Sequence, residues 1–291
     1  MSTPIPTIIS RKTETAPAGF AMRGYGDVRY IVCEPLEQAG FKNAFSTRLG
    51  GVSPLPENAL SLGNFTLCRD GDQREAVLEN RLRMQAVMDA TEWPMVTAKQ
   101  IHSADVRVVA DYEDARREAR VCDALTANTA GILLAIQTAD CLPVLIVDPE
   151  TKSFAGAHAG WRGTLAGIVA RTVARMQSEY GSRPAALLAA LGPAICQGCF
   201  EVGPEVLAAF RERYAYANDL ITGEGGADGK GYLNINQANA RQLQDCGVPV
   251  DQIFDSGYCT ICRNDLFFSY RAERGAERHV GRLMSLVGVT P

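Results

Sequence analysis

The spacing of hydrophobic positions predicts a chain in which strands and helices alternate. Short apolar runs bounded by turn-forming residues are typical of strands, and such runs recur along most of the sequence. The predicted strands are residues 28–33, 41–45, 106–109, 132–136, 143–147, 153–157, 185–191, 252–254, 266–269 and 283–287.

Helical spacing of apolar positions predicts four helices between these strands. They are residues 72–88, with Asp72 as N-cap, 164–179, followed by the stop Gly181, 204–210 and 236–245. The buried stripes are Val77, Leu78, Leu82, Val87 and Met88 in the first helix, and Leu165, Ile168, Val169, Thr172, Val173 and Met176 in the second. Residues 46–54 and the Gly/Asp-rich residues 217–231 are predicted loops.

This order of elements predicts one domain of the α/β or α+β class with mixed sheets. Residues 1–20, rich in Pro, Thr and Ser, are predicted to be a flexible N-terminal segment. Residues 21–291 are predicted to form a single domain, because neither an internal repeat nor a linker interrupts them.

The clearest local prediction is a hairpin of residues 142–147 and 153–158. A pairing centre near Glu150 puts Cys141 beside His158 or Ala159, and opposed residues in a hairpin lie within about 5.5 Å of each other. A slip of one residue would change the face that each side chain presents. The hairpin therefore predicts that Cys141 and His158 share a site, which His102 must reach from another segment.

The chain has only three histidines, and two of them flank Cys141 in the sequence. Imidazole and thiolate are the ligands that zinc prefers, and a catalytic zinc keeps one position open for water. His102, Cys141 and His158 are therefore candidate ligands of an open zinc site. Two alternatives use the same residues: ordinary histidines with a buried cysteine, or a metal-free pair in which His158 is the base for a Cys141 nucleophile.

Two arginines are candidates to bind an anion. Arg48 lies in a turn with Gly50 and Gly51, where backbone amides can face a phosphate, although a solvated arginine in an ordinary turn is the favoured interpretation. Arg162 precedes a predicted helix whose N-terminus favours an anion, and a purely structural turn is an equal alternative. Asp140 can orient a ligand histidine, although a turn or capping role is favoured.

The remaining candidates are two Cys-x-x-Cys pairs and the third histidine. Cys196 and Cys199, with Cys259 and Cys262, offer the pairing of a four-cysteine zinc. The segment between the pairs is much longer than in a zinc ribbon, so the sequence favours separate roles for them and leaves a second metal as the alternative. His279, among charged residues, is predicted to be a surface histidine.

Composition excludes several function classes. The net charge of -4, the pI near 5.5 and the lack of a basic stripe argue against a nucleic-acid partner. No apolar run suits a membrane span or a signal peptide, which predicts a cytoplasmic protein. The nine cysteines are then expected to stay reduced.

Two motifs together are highly specific: Ala-Asp-Cys-Leu-Pro at 139–143 and His-Ala-Gly-Trp-Arg-Gly at 158–163. With them the chain resembles the YfiH-type family, also called the polyphenol oxidase or laccase-domain purine nucleoside phosphorylases. The resemblance runs from about residue 28 to the C-terminus. Further matching segments are residues 45–53, 61–64, 99–102, 192–195, 200–203, 259–260 and 268–271.

The resemblance implies a fold and an activity. The implied fold is a four-layer α/β/β/α domain of the α+β class, similar to toxin-type cysteine hydrolases. The implied activity is phosphorolysis of adenosine, inosine and methylthioadenosine to base and ribose 1-phosphate, with some adenosine deamination. Zinc is implied at His102, Cys141 and His158. Purine nucleosides and phosphate are the implied partners, and a monomer is favoured.

The match has two departures from the family pattern. Arg48 matches the family's active-site arginine, but Asn64 lies in a scrambled form of the usual Ser-Leu-Asn order. The segment after Arg271 is longer than usual, although Arg282 closes it in the expected way. A substrate-binding role for Asn64 is therefore the least supported of the implied contacts.

The family's older name, multicopper laccase, fits this chain poorly. Three histidines cannot supply the imidazoles of a multicopper cluster and a blue-copper site, which need about ten. A single Cu²⁺ can still occupy the proposed zinc site, so a copper-dependent polyphenol oxidase stays an alternative. Another is a binding or cell-wall-precursor editing protein whose nucleoside turnover is incidental. Dependence on phosphate distinguishes a phosphorylase from these alternatives.

Overall fold

The computed structural model describes residues 17–54, 58–63, 71–224, 228–274 and 280–291. The strands are β1 Phe20–Tyr25, β2 Val28–Cys33, β3 Phe41–Ser46, β4 Leu49–Ser53, β5 Met95–Thr97, β6 Val106–Val108, β7 Ala124–Ala127, β8 Leu133–Thr138, β9 Leu142–Val147, β10 Phe154–Ala159, β11 Leu188–Leu191, β12 Glu201–Val202, β13 Ile221–Thr222, β14 Gly231–Leu233, β15 Ile253–Asp255 and β16 Leu283–Val289. Residues 1–16 of the predicted N-terminal segment lie outside the described residues.

The helices are mostly short. They are α1 Glu34–Gln38, α2 Gly71–Val87, α3 Tyr112–Ala115, α4 Trp161–Leu165, α5 Ile168–Tyr180, α6 Pro204–Arg213, α7 Ile235–Asp245 and α8 Tyr270–Glu273. Single 3₁₀ turns occupy Pro184–Ala186, Gln197–Cys199, Ala217–Leu220 and Val250–Gln252. Across the described residues, no helix combines the length and the apolar character needed to cross a membrane.

Within the described residues the strands form two large mixed sheets and one small one. The first sheet has the order β1-β2-β3-β16-β8-β5 and the second β15-β11-β9-β10-β7-β6. Most pairs are antiparallel, and β5/β8, β6/β7 and β11/β15 are parallel. The small sheet has the order β12-β14-β13. The predicted α+β class with mixed sheets is confirmed.

Three apolar clusters give the order of the layers. The cluster between the sheets joins residues such as Phe45 and Ile136 of the first sheet to Leu145 of the second. A second cluster lies between the first sheet and α2, around Met84. A third lies between the second sheet and the helices α5, α6 and α7, around Val173. Each sheet therefore buries both of its faces, and the layers run helix, sheet, sheet, helix.

Four local predictions are wrong. The predicted loop 217–231 contains the 3₁₀ turn Ala217–Leu220 and the strand β13. The predicted loop 46–54 contains β4, and a Cβ on Gly51 would collide with the carbonyl oxygen of Ala59, so glycine permits this close backbone approach. The predicted helix 164–179 is two helices, broken at Gly167, whose φ is +80°. Residues 266–269, predicted as a strand, form none: Leu266 ends a turn, Phe267 lies in a bend, and the next two residues lead irregularly into α8.

The stripe predicted for the first helix is also partly wrong. Val77 and Met88 are buried as expected, but Leu78 is 45% exposed and Leu82 is 52% exposed. The buried face runs instead through Met84. The helix packs on β4, a strand that the sequence did not predict, and this contact shifts the buried face.

Candidate active site

The hairpin of β9 and β10 brings Cys141 next to the end of His158's strand. The register pairs Leu142 with Ala159 and Pro143 with His158. Extended by one residue, this register puts Cys141 opposite Gly160, one position beyond the prediction. A Cβ on Gly160 would lie 3.0 Å from the Cys141 sulfur, so glycine leaves the room that the thiol occupies.

The structure brings His102, Cys141 and His158 together. Their three candidate ligand atoms lie within 4.8 Å of one another. The Cys141 Sγ is 3.7 Å from the His102 Nε2, and the two imidazole rings meet edge to face with centroids 4.8 Å apart. His158 is buried, whereas His102 and Cys141 reach solvent. One side of the cluster is therefore accessible to a ligand.

Asp123 organises two of these three residues, and sequence analysis missed it. Its carboxylate accepts a hydrogen bond from His158 Nδ1 at 2.8 Å, which leaves Nε2 as the ligand atom of that ring. The same carboxylate accepts backbone N–H bonds from Ile101, His102 and Ser103 at 3.1, 2.9 and 2.7 Å. Asp123 directly precedes β7, and its side chain is fully buried. Asp123 thus performs the orienting role that the sequence offered to Asp140.

Asp140 anchors the loop that carries Cys141. Its carboxylate accepts hydrogen bonds from Thr260 Oγ1 at 2.6 Å and from the backbone N–H of Arg271 at 2.6 Å. The backbone of Asp140 has φ +89°, and that of His102 has φ +63°. Non-glycine residues at such φ values are strained and persist where neighbouring contacts hold them, often at functional sites. The carboxylates of Asp123 and Asp140 supply those contacts here.

The cluster forms a polarised thiol–imidazole pair. Burial raises the pKa of the Cys141 thiol, but His158 and His102 outweigh burial and lower the pKa to about 6. Burial lowers the pKa of His158, but the Cys141 sulfur and the Asp123 carboxylate raise it to about 9. The environment thus favours a thiolate at Cys141.

The donor set fits a single metal ion. With Zn–N near 2.1 Å and Zn–S near 2.3 Å, tetrahedral geometry separates a sulfur from a nitrogen by about 3.6 Å. The observed 3.7 Å between Cys141 and His102 matches that edge. A carboxylate that accepts a hydrogen bond from the second nitrogen of a ligand histidine, as Asp123 does from His158, is typical of zinc centres. Three protein ligands leave a fourth position for water or substrate.

A cavity of about 530 Å³ opens over this cluster. Ligand pockets have volumes of roughly 300–1,000 Å³, so a nucleoside-sized molecule fits. Arg162, Arg271 and Arg282 line the cavity, and Asp140 is the one acidic residue among the described residues that line it. Three arginines against one carboxylate give the lining a net positive charge, which suits an anion.

Arg48, a predicted anion-binding residue, lies outside the cavity lining and is held by other contacts. Its guanidinium donates to the Glu273 carboxylate at 2.9 Å and to the Asn264 carbonyl at 2.9 Å, and it lies over the Phe268 ring. Among the described residues it is not part of the cavity lining. In this conformation Arg48 holds the segment before α8 in place, and it offers no free charge to phosphate.

The other predicted anion contacts have mixed outcomes. Gly51 donates its backbone N–H to the Asn58 carbonyl, and Gly50 packs against the backbone of Asp27, so both glycines serve strand packing. Arg162 lines the cavity as expected, with its guanidinium over the Trp161 ring. Asn64 and His279 lie outside the described residues.

Further lining residues were missed, among them Gln137, Arg271 and Arg282. Gln137 exchanges hydrogen bonds with Gln100, yet its Nε2 is buried and has no hydrogen-bond partner among the described residues. Arg271 and Arg282 lie at the two ends of a segment rich in arginine and glutamate, where no local pattern separates cavity arginines from surface ones. The tertiary fold alone brings these side chains to the cavity.

Comparison with known proteins identifies the family. A family model described as multi-copper polyphenol oxidoreductase laccase matches residues 42–290. The chain belongs to this laccase-like family. The match covers both large sheets from β3 onward and all three residues of the His102–Cys141–His158 cluster.

Relatives within the laccase-like family carry enzyme names. The chain is 37% identical over 259 residues to the purine nucleoside phosphorylase YfiH of Escherichia coli (strain K12), covering 89% of this chain and 98% of that protein. It is 36% identical over 235 residues to adenosine deaminase RL5 of an unknown prokaryotic organism, covering 78% and 87%. The crystal structure of the Bacillus licheniformis hypothetical protein YfiH has a TM-score of 0.81 at 30% sequence identity, covering 92% and 99%.

Proposed function

We propose that this protein is a zinc-dependent purine nucleoside phosphorylase that acts on adenosine, inosine and methylthioadenosine, with accompanying adenosine deaminase activity. The observation that carries the proposal is the convergence of His102, Cys141 and His158 within 4.8 Å at a positively charged cavity. The relatives named purine nucleoside phosphorylase and adenosine deaminase support the reaction class.

The metal in this proposal is zinc, held by His102, Cys141 and His158. One thiolate and two imidazoles leave a divalent zinc with net positive charge. The bound ion would therefore act as a Lewis acid on an oxygen of the bound substrate. Copper in the same position is the alternative metal, because imidazole and thiolate also bind copper. Asp123 fixes the tautomer of His158 and holds the loop of His102.

The arginines of the cavity are proposed to bind phosphate. In phosphorolysis a phosphate oxygen forms a bond to C1′ of the ribose, while the bond from C1′ to the purine nitrogen breaks and its electrons leave with the base. Arg162, Arg271 and Arg282 line the cavity and can hold the phosphate dianion near that carbon. Arg48 is proposed as a positioning residue, since its ion pair with Glu273 holds the segment that carries Arg271.

The nucleoside contacts are proposed from the remaining lining. The unpaired Nε2 of Gln137 can donate to a nitrogen or oxygen of the purine, which would remove the cost of burying an unsatisfied donor. Phe200 and Tyr270 offer aromatic faces on which a base can stack. These groups would orient the base, and the arginines would hold the phosphate that attacks the ribose.

The test is replacement of Cys141, the one thiolate of the cluster. Cys141→Ala should lose the zinc ion held by His102, Cys141 and His158 and reduce phosphate-dependent base release by about 10²-fold or more, because a Lewis acid contributes several kcal/mol. Metal analysis and base release, each with and without phosphate, measure both effects. Cys246→Ala is the matched control, since Cys246 is a partly buried cysteine outside the cavity lining in the described part of the chain. A Cys141→Ala protein with full zinc and turnover would rule out the proposal.

A metal-free cysteine hydrolase is the second candidate. The lowered pKa of Cys141, near 6, and the raised pKa of His158, near 9, also suit a thiolate nucleophile with an imidazole partner. A chelator would then leave activity intact, and an alkylating reagent would remove it. Nucleoside cleavage that ignores phosphate would likewise favour a hydrolase over a phosphorylase.

A further inference from the structure

The structure brings the two Cys-x-x-Cys pairs together, although the sequence favours separate roles for them. The sulfurs of Cys196, Cys199, Cys259 and Cys262 all lie within 4.8 Å of one another. The Sγ atoms of Cys199 and Cys262 are 3.6 Å apart. Four sulfurs around one zinc at about 2.3 Å are separated by about 3.8 Å in tetrahedral geometry. This tetracysteine cluster therefore has the dimensions of a single four-coordinate ion.

The fold gives the two cysteine pairs adjacent turns. The first pair spans the 3₁₀ turn Gln197–Cys199, and the second follows β15. Ala194 joins the two segments by accepting the Thr260 backbone N–H at 3.1 Å and donating its own to the Tyr258 carbonyl at 3.1 Å. The pairs are separated by a long stretch of sequence, but a parallel backbone bridge aligns them.

Backbone amides point at one of the sulfurs. The N–H groups of Cys196 and Cys262 donate to the Cys259 Sγ at 3.3 and 3.5 Å. Such bonds stabilise charge on a thiolate, as hydrogen bonds around metal-bound cysteines do. A single disulfide would use two of the four sulfurs and would leave the other two crowded beside it, with S–S near 2.05 Å. An ion at the centre uses all four.

We propose that the tetracysteine cluster binds a structural zinc ion, separate from the ion proposed at Cys141. Four thiolates close the coordination shell, so this ion has no open position for substrate, and its function is to stabilise the fold. The proposal does not depend on the proposed catalytic function, because it uses none of its residues.

The structural zinc would fix one wall of the cavity. Ile195 and Phe200, on either side of the first pair, line the cavity. Thr260, within the second pair, donates to Asp140, and Ile195 donates its backbone N–H to the carbonyl of Asp140. Asp140 directly precedes Cys141. The zinc would therefore hold the loop of Cys141 in place without touching substrate.

The first experiment counts zinc by elemental analysis in the full chain purified under reducing conditions. Two zinc ions per chain are expected in the unmodified protein, one in Cys199→Ser/Cys262→Ser and one in Cys141→Ala. Cys246→Ser, a partly buried cysteine outside both clusters, should keep two. One ion in the unmodified protein and none in Cys141→Ala would overturn the structural zinc and leave the first site standing. One ion in the unmodified protein that Cys141→Ala retains would support the structural zinc and overturn the zinc proposed at Cys141.

A second experiment tests the structural zinc without the double-serine variant, in case that variant fails to fold. Cys141→Ala reconstituted with Co²⁺ should show the visible absorption of a tetrahedral ion and strong thiolate charge transfer, a signature of four sulfur ligands. An octahedral spectrum, iron in place of zinc, or a disulfide between Cys199 and Cys262 in the reduced protein would contradict the proposal. Titration of Cys141→Ala with a mercurial should release its one zinc as the thiols react.

Discussion

At the scale of single residues, Asp123 connects the elements of the site. Its carboxylate fixes the orientation of the His158 ring and accepts hydrogen bonds from three backbone amides in the loop of His102. One side chain therefore positions two of the three candidate ligands. The hairpin pattern was enough to bring Cys141 and His158 together, apart from a one-residue shift. Asp123 gave no signal, because an aspartate ahead of a short strand is typical of any turn.

Replacing this carboxylate should weaken metal binding more than it weakens the fold. The substitution Asp123→Asn leaves one oxygen for four donors and turns an NH₂ group toward other N–H groups. Loss of such an outer-shell carboxylate typically lowers metal affinity by about 10–100-fold. Zinc affinity measured by competition with a chelator checks the prediction, with the exposed Asp105→Asn as control. Wild-type affinity in Asp123→Asn would show that Asp123 does not orient the ligands.

At the scale of elements, a buried ion pair fixes α3 against β6. Arg107 Nη2 is 3.0 Å from the Asp114 carboxylate, with side chains 6% and 10% exposed. Burial raises the pKa of the Asp114 carboxyl, but its hydrogen bond with Arg107 and further basic neighbours outweigh burial and lower the pKa. The charged pair therefore stabilises the folded state at neutral pH.

Removing that charge should destabilise the protein in a pH-dependent way. Asp114→Asn leaves the buried Arg107 guanidinium without its charged partner, and we expect a loss of about 3 kcal/mol in the free energy of unfolding at pH 7. Because the folded pKa of Asp114 lies below the unfolded value of about 3.9, this contribution is present above that pH and disappears as the pH falls through the folded pKa.

Urea unfolding at several pH values measures the effect. The exposed Glu113→Gln on the same helix is the control and should change the free energy of unfolding by less than about 0.5 kcal/mol. A difference between wild type and Asp114→Asn that stays constant from pH 7 to pH 3 would contradict the role given to the ionised pair.

Element boundaries show where sequence patterns stop being informative. The limits of β2 and the β9–β10 hairpin follow from apolar runs and a turn. The strand β4 is hidden because Gly50 and Gly51 are typical of loops, yet here they allow close strand packing. The exposed Leu78 and Leu82 show that a stripe of apolar residues depends on what the helix packs against.

At the scale of the whole molecule, the cavity forms where both large sheets and several helices contribute residues around the His102–Cys141–His158 cluster. Gln137 comes from β8 in the first sheet, His158 from β10 in the second, and Tyr270 from α8. Alternating patterns predicted a domain of the α/β or α+β class with mixed sheets. The pairing of β5 with β8, of β6 with β7 and of the two Cys-x-x-Cys turns could not be predicted, because contacts between distant segments leave no local periodicity.

The most direct test of the proposed centre is an anomalous difference map at the zinc absorption edge from crystals grown without chelator. A peak is expected within about 2.3 Å of the Cys141 sulfur and about 2.1 Å of a nitrogen of His102 and His158. Clear density for the three side chains with no anomalous peak among them, in protein that turns over nucleosides, would contradict a metal-dependent site.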